Sequence, residues 1–219
     1  KHKMNLTKNV KFFKIDLENS NSYKKKINNC FKRFGTPDIF INTSYPKTKD
    51  WKFSNSENLK IHSLEKNIKI HLNSYLWLMN STAIQMKKNK IKGSIINLSS
   101  MYGIISQDPE IYKKTNKSEN IIYSAIKGGI NTFSKQLAVI YGKHDIRINT
   151  ICPGGVINEK DYKKLNVDKN FRKNYFQKSP IKRFATTYDV ACATIFLSSD
   201  ASKYITGTNL TLDGGWTAL

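Results

Sequence analysis

Tyr123 and Lys127 stand four residues apart in the run Y-S-A-I-K. Residues at that spacing share one face of a helix, so an ammonium can lie beside a phenol. A neighbouring positive charge favours phenolate and lowers the tyrosine pKa. That suits a group that gives and takes a proton near neutral pH. Upstream, G-S-I-I-N-L-S-S-M-Y-G puts Ser100 just past the carboxyl end of an apolar segment, the end at which open α/β sheets bind ligands. A hydroxyl there can hydrogen-bond a carbonyl or alcohol oxygen. Each pattern alone also has a plainer meaning: a surface lysine beside a half-buried tyrosine, or serines that cap a turn.

Holding these groups together takes a buried sheet with helices between its strands. Short apolar runs alternate with helical periods along the chain, which predicts an α/β fold with a doubly wound parallel sheet. Residues 10–15 predict a strand ending at Asp16. Tyr23, Ile27, Phe31 and Phe34 recur at helical spacing up to Gly35, a natural stop. Residues 38–42 predict a short buried strand, and Ile61, Leu64, Ile68, Leu72, Tyr75, Leu76, Met79, Ala83 and Met86 fall on one stripe of a long helix over 61–88. Further strands are expected at 94–98 and 146–151, with a second long helix between them that ends near Gly142. The second of these strands runs into Pro153-Gly154-Gly155, which does not continue a strand comfortably. Residues 157–184 read as a polar lid with short helices. Thr186 and Asp189 have capping-box spacing and open a helix through Leu197, and a last strand over 209–213 ends at Gly214-Gly215. No linker divides the chain, so residues 1–219 read as one domain.

The 219 residues carry a net charge of +21, which raises the question of nucleic acid. Lysines number 33 against four arginines, spread along the chain rather than gathered. Arginine is the better fork for phosphates and bases, so a solvated lysine surface explains the charge and nucleic acid is not expected as a partner. Three cysteines without a C-x-x-C suit a reducing cytosol and oppose a disulfide framework or a zinc site. No metal is expected. No run of 18 apolar residues predicts a membrane span, and the first residues lack a signal-peptide core. A cytoplasmic protein is the expectation.

Together these segments resemble the short-chain dehydrogenase/reductase family, from about Val10 to Trp216. D-I-F-I-N-T-S resembles the family's strand-four motif, with Asn42 at its first asparagine. R-I-N-T-I-C-P-G-G-V resembles the strand-six Pro-Gly turn, and Y-I-T-G-T-N-L-T-L-D-G-G-W the C-terminal strand and tail. The resemblance implies a Rossmann-type NAD(P)-binding domain and an oxidoreductase that interconverts a hydroxyl and a carbonyl using NAD or NADP. It implies that Tyr123 exchanges a proton with the substrate oxygen, Ser100 orients that oxygen, and Lys127 tunes Tyr123 and holds the nicotinamide ribose. Asp16 stands where the family contacts adenine, while Asn42, Gly154 and Val156 would line the cofactor. It further implies a homodimer or homotetramer built on the two long helices, with Tyr75, Leu78 and Ile84 on the outer side of the first.

Three departures qualify this reading. The family's T-G-x-x-x-G-x-G phosphate loop and first two strands have no counterpart in these 219 residues, so the chain is expected to be a fragment truncated at its N-terminus. The alternative is a degenerate, non-catalytic relative without cofactor binding. At the family's helix asparagine this chain has His71, either a bridge to a proton-relay water or a plain helix residue. Asn73, two positions on, points elsewhere on a helix. Finally, Tyr45-Pro46 replaces the end of N-N-A-G, and 23 residues separate Ser100 from Tyr123, about ten more than usual. These resemble a subset found in surface-polysaccharide and flagellar-glycan clusters and imply a small, sugar-derived substrate. The nine Lys/Arg and three Asp/Glu of 157–184 would suit an anionic one. An enoyl reductase using the same Tyr/Lys pair is a second enzymatic reading.

Overall fold

The structure, a computed structural model, describes residues 10–158 and 167–219. Four parallel strands form its centre: β1 (Ile39–Asn42), β2 (Ser94–Leu98), β3 (Arg147–Pro153) and β6 (Asn209–Leu212), side by side in the order β1-β2-β3-β6. In register, Asn42 pairs with Asn97 and Asn97 with Thr150, while Pro153 pairs with Leu212. The third strand thus reaches two residues further than expected. Proline has no N–H to give, but here it ends its strand, and the next amide, Gly154, supplies the bond to Leu212 O at 3.0 Å.

Helices cover the two faces as the periodicities predict. On one face lie α1 (Tyr23–Phe34), the segment 61–88 and α4 (Ile121–Tyr141); on the other lies α6 (Thr187–Ser198). Met79, Ala83 and Met86 meet Leu137, Ala138 and Tyr141 over Ile95 and Ile148, and Leu197 seals Ile96 and Ile151 from the opposite side. The Thr186–Asp189 capping box is present. Arg183 adds a two-point ion pair with the Asp189 carboxylate at 2.8 and 3.1 Å.

Three expectations change. The strand expected to be buried at 38–42 forms as β1 but leaves Ile39 46% and Ile41 45% exposed. Residues 10–16 form no strand. A strand needs a ladder partner, and among the described residues β1 pairs only with β2. Phe12 is consequently 73% exposed, and Asp16 ends no strand but accepts from Glu18 N at 2.9 Å in a local turn. The long helix is also not uniform: α2 (Ile61–Asn67) passes through a π-helical turn at Ile68–Leu72 into α3 (Asn73–Lys88). Such turns hold one residue more than an α-turn and recur at functional sites.

Of the expected lid, residues 159–166 lie outside the described residues. The remainder holds α5 (Lys169–Lys178) and a two-stranded pair of β4 (Val156–Ile157) with β5 (Ala185–Thr186). Tyr175 of α5 packs on Phe184 and Trp216 with centroids at 4.8 and 4.7 Å. Among the described residues no helix is long and apolar enough to cross a membrane.

Candidate active site

The first turn of α4 carries Tyr123. Its start is set by Asn120, whose side chain accepts from Tyr123 N at 3.0 Å and donates to Trp51 O at 2.7 Å. Gln107 holds the same residue from the other side, accepting from Asn120 N at 3.1 Å and donating to Asn120 O at 2.6 Å. Much of the lengthened segment between Ser100 and Tyr123 is thereby fastened to the helix N-terminus.

One turn on, Lys127 is buried and its ammonium donates to Leu98 O at 2.9 Å. The Nζ atom lies 5.1, 5.6 and 5.9 Å from the ring centroids of Tyr75, Tyr123 and Tyr45. Burial disfavours the charged form and brings its pKa down to about 8. Three ring faces offer partial compensation through their quadrupoles.

Ser100 follows β2 and is buried beside Tyr123. Its hydroxyl also accepts from Tyr102 N at 3.2 Å, capping the short turn Met101–Gly103. The capping and the site readings of this serine are therefore both met. Gly103 lets the turn press onto α4: a Cβ there would stand 2.7 Å from Lys127 C and from Asn131 Nδ2.

The electrostatics differ from the expectation for Tyr123. Burial is the larger effect and holds the phenol above its ordinary value; the Ser100 hydroxyl opposes that rise, and the buried Cys152 thiol adds to it. The lysine is close, but desolvation of the phenolate outweighs it.

His71 lies in the π-turn, fully buried, and neither ring nitrogen has a hydrogen-bond partner. Burial first, then Lys127, brings its pKa down to about 3, so it is neutral at pH 7. Its ring is 5.2 Å from Tyr45 and 5.6 Å from Tyr75. Asn73 instead faces a groove lined by Tyr23, Trp77 and Phe133, as the helical angle requires.

Ser100, Tyr123, Lys127 and His71 thus form one cluster. Asn42 joins it through Tyr75, whose hydroxyl contacts Asn42 O at 3.2 Å, Ser44 O at 2.9 Å and Leu98 O at 3.2 Å. The tyrosine is in the core, with the apolar stripe of its helix rather than on the outer side; Leu78 is buried too, and Ile84 is exposed. The Asn42 side-chain oxygen accepts from Ser44, and its Nδ2 has no partner. Gly154 and Gly155 open on a separate cavity of about 400 Å³ with Tyr175, Arg183 and Asp213, while Val156 is exposed. Among the described residues Asp16 makes local contacts: besides its bond to Glu18, its charge helps raise the Tyr23 pKa, second to burial.

Sequence reasoning missed the rings that enclose the centre. Tyr45 and Trp51 stand nearly perpendicular to Tyr123 at 6.0 and 6.2 Å. The signal was Tyr45 itself, a ring in a motif position where the family has glycine.

Residues 2–217 match the family model described as enoyl-(acyl carrier protein) reductase, a short-chain dehydrogenase group. The post-translational flagellin modification protein A of Campylobacter coli is 30% identical over 203 residues, 93% of this chain and 76% of that protein. Glucose 1-dehydrogenase 2 of Bacillus subtilis is 27% identical over 209 residues, 92% of this chain and 72% of its own. A short-chain dehydrogenase from Leptospira borgpetersenii, solved with bound NAD+, superposes with a TM-score of 0.79 at 30% identity, over 93% of this chain and 74% of that one. This chain belongs to the short-chain dehydrogenase/reductase family. It is an oxidoreductase dependent on NAD or NADP, on a Rossmann-type α/β fold.

Proposed function

We propose that the enzyme interconverts a hydroxyl and a carbonyl on a small, sugar-derived substrate, with Tyr123 as the group that donates and accepts the proton. The observation that carries this reading is the Tyr123 phenol set between the Ser100 hydroxyl and the Lys127 ammonium. A phenol kept protonated by burial is a competent acid toward a carbonyl oxygen as that oxygen gains negative charge. Ser100 donates to the same oxygen and fixes its direction. Lys127 lies near enough to favour phenolate once the proton has left, and His71, neutral, can pass a proton behind it.

The residues fit the nicotinamide end of the cofactor. Lys127 and the unpartnered Asn42 Nδ2 supply buried donors, and Gly154 and Val156 supply backbone at the carboxyl end of β3. Asp16, exposed in its turn, would stand at the adenine end. No T-G-x-x-x-G-x-G run among the 219 residues offers amides for the pyrophosphate. The bound cofactor supplies the hydride.

A sugar-derived substrate is supported by the relative named glucose 1-dehydrogenase 2. Copies of the chain would pair through α3 and α4, where Trp77, Ile84, Val139 and Ile140 are exposed. Three free thiols suit work in the cytosol. The test of the central claim is Tyr123→Phe. Turnover should fall about 10²–10⁴-fold with cofactor affinity nearly unchanged, and a variant with near-normal turnover refutes the assignment.

A further inference from the structure

Five rings meet at the candidate site, and they are not equally hidden. Trp51, His71 and Tyr75 are buried, whereas Tyr45 is 46% exposed immediately beside Tyr123. Its plane is fixed by perpendicular contacts with Trp51 at 6.0 Å, His71 at 5.2 Å and Tyr123 at 6.0 Å. The chain beyond it is equally held. Thr48 N donates to Asn67 Oδ1 at 3.1 Å, Asn67 Nδ2 returns a bond to Thr48 Oγ1 at 2.8 Å, and Ser63 Oγ donates to Asp50 Oδ1 at 3.1 Å. A half-open ring on so braced a loop is a preformed surface, and preformed surfaces bind without an ordering cost.

We propose that Tyr45 is a stacking wall for the ring of a pyranose sugar, and so a specificity-determining residue; the proposal rests on the reading of Tyr123 as the proton-exchanging group. The Tyr45 ring face carries negative quadrupole charge and already attracts a cation, the exposed Lys47 ammonium at 5.4 Å from its centroid. A mobile lysine leaves such a face easily. A pyranose presents one flat side of C–H bonds, polarised positively by neighbouring oxygens, with hydroxyls around the rim. Laid on Tyr45, that side meets the ring face while a rim carbon bearing hydroxyl reaches toward Tyr123. The Tyr45 phenol, its pKa raised by the partial burial of the ring and then by Tyr123, is neutral and does not repel the sugar oxygens with a charge. An acyclic polyol has the same hydroxyls but no flat face, and gains nothing from the wall.

The experiment compares D-glucose with D-sorbitol in NAD(P)-linked oxidation by wild type, Tyr45→Ala and Tyr45→Phe. Tyr45→Ala should raise KM for glucose about tenfold more than KM for sorbitol, the scale of one aromatic contact. Tyr45→Phe keeps the wall and should match wild type on both. Equal effects on the ring and the open chain, or none, overturn the proposal. Saturation-transfer NMR with methyl β-D-glucoside gives a readout independent of turnover. Transfer to the sugar C–H protons should vanish in Tyr45→Ala and persist in Tyr123→Phe. Absence of transfer in wild type sinks the wall. Tyr45-dependent transfer together with near-normal turnover by Tyr123→Phe keeps the wall and sinks the reading of Tyr123.

Discussion

Replacing Lys127 by methionine should remove activity and yet make the protein more stable. Burial brings the ammonium pKa from its ordinary 10.5 to about 8. At about 1.4 kcal/mol per unit, the folded state carries a cost of roughly 3 kcal/mol for holding that charge at pH 7. Methionine also forfeits the bond to Leu98 O, an oxygen that keeps a 3.2 Å contact with the Tyr75 hydroxyl. Methionine fills the space of the stem, so the expected net gain is about 2 kcal/mol, or a rise in Tm of about 4–8 °C for a chain of this size. The sign has a pH signature. The folded pKa lies below the unfolded one, so between pH 8 and 10.5 the unfolded chain binds the extra proton and wild-type stability rises with pH. The advantage of Lys127→Met should therefore be full below pH 8 and shrink toward pH 10.5. Urea unfolding of both proteins from pH 7 to 10.5 measures it. A variant less stable than wild type at pH 7, or an advantage that does not vary with pH, refutes the reasoning.

His71 should make the fold acid-sensitive. With a folded pKa of about 3 against an ordinary 6.5, stability is lost as pH falls below 6.5, because only the unfolded chain takes the proton. The advantage of His71→Leu should grow by about 2–3 kcal/mol between pH 7 and pH 4.5, read by the same titration. Gly103→Ala would set a methyl against Lys127 backbone and Asn131. A loss of about 1–3 kcal/mol and a raised KM for cofactor are expected, and a neutral result would show that the turn is free to retreat.

Much of this was legible because its signals are local. Y-S-A-I-K fixes a shared helix face, Thr186 with Asp189 fixes a helix start, and apolar runs fix β1, β2, β3 and β6 within two residues. Local signals failed where a partner decides the outcome. V-K-F-F-K-I has strand character, but among the described residues nothing pairs with it. The π-turn at Ile68–Leu72 leaves no mark on periodicity strong enough to read, although it sets the direction of His71. Proximity of Lys127 correctly placed a charge near Tyr123. It misjudged the phenol, because the degree of burial is a property of the packed rings and not of spacing. Asp16 and Tyr75 illustrate the same limit from opposite sides, one left in a surface turn and the other drawn into the core.

Asn120 has a consequence beyond starting a helix. Its side chain ties the loop carrying Trp51, and Gln107 ties the 101–120 segment, to the one residue that also accepts from Tyr123 N. A ligand that orders either loop must share its binding free energy with the other through this joint. By thermodynamic reciprocity the two loops then assist each other equally. A displacement of the 101–120 segment is thereby passed to the turn that carries Tyr123, within one chain and without a second subunit.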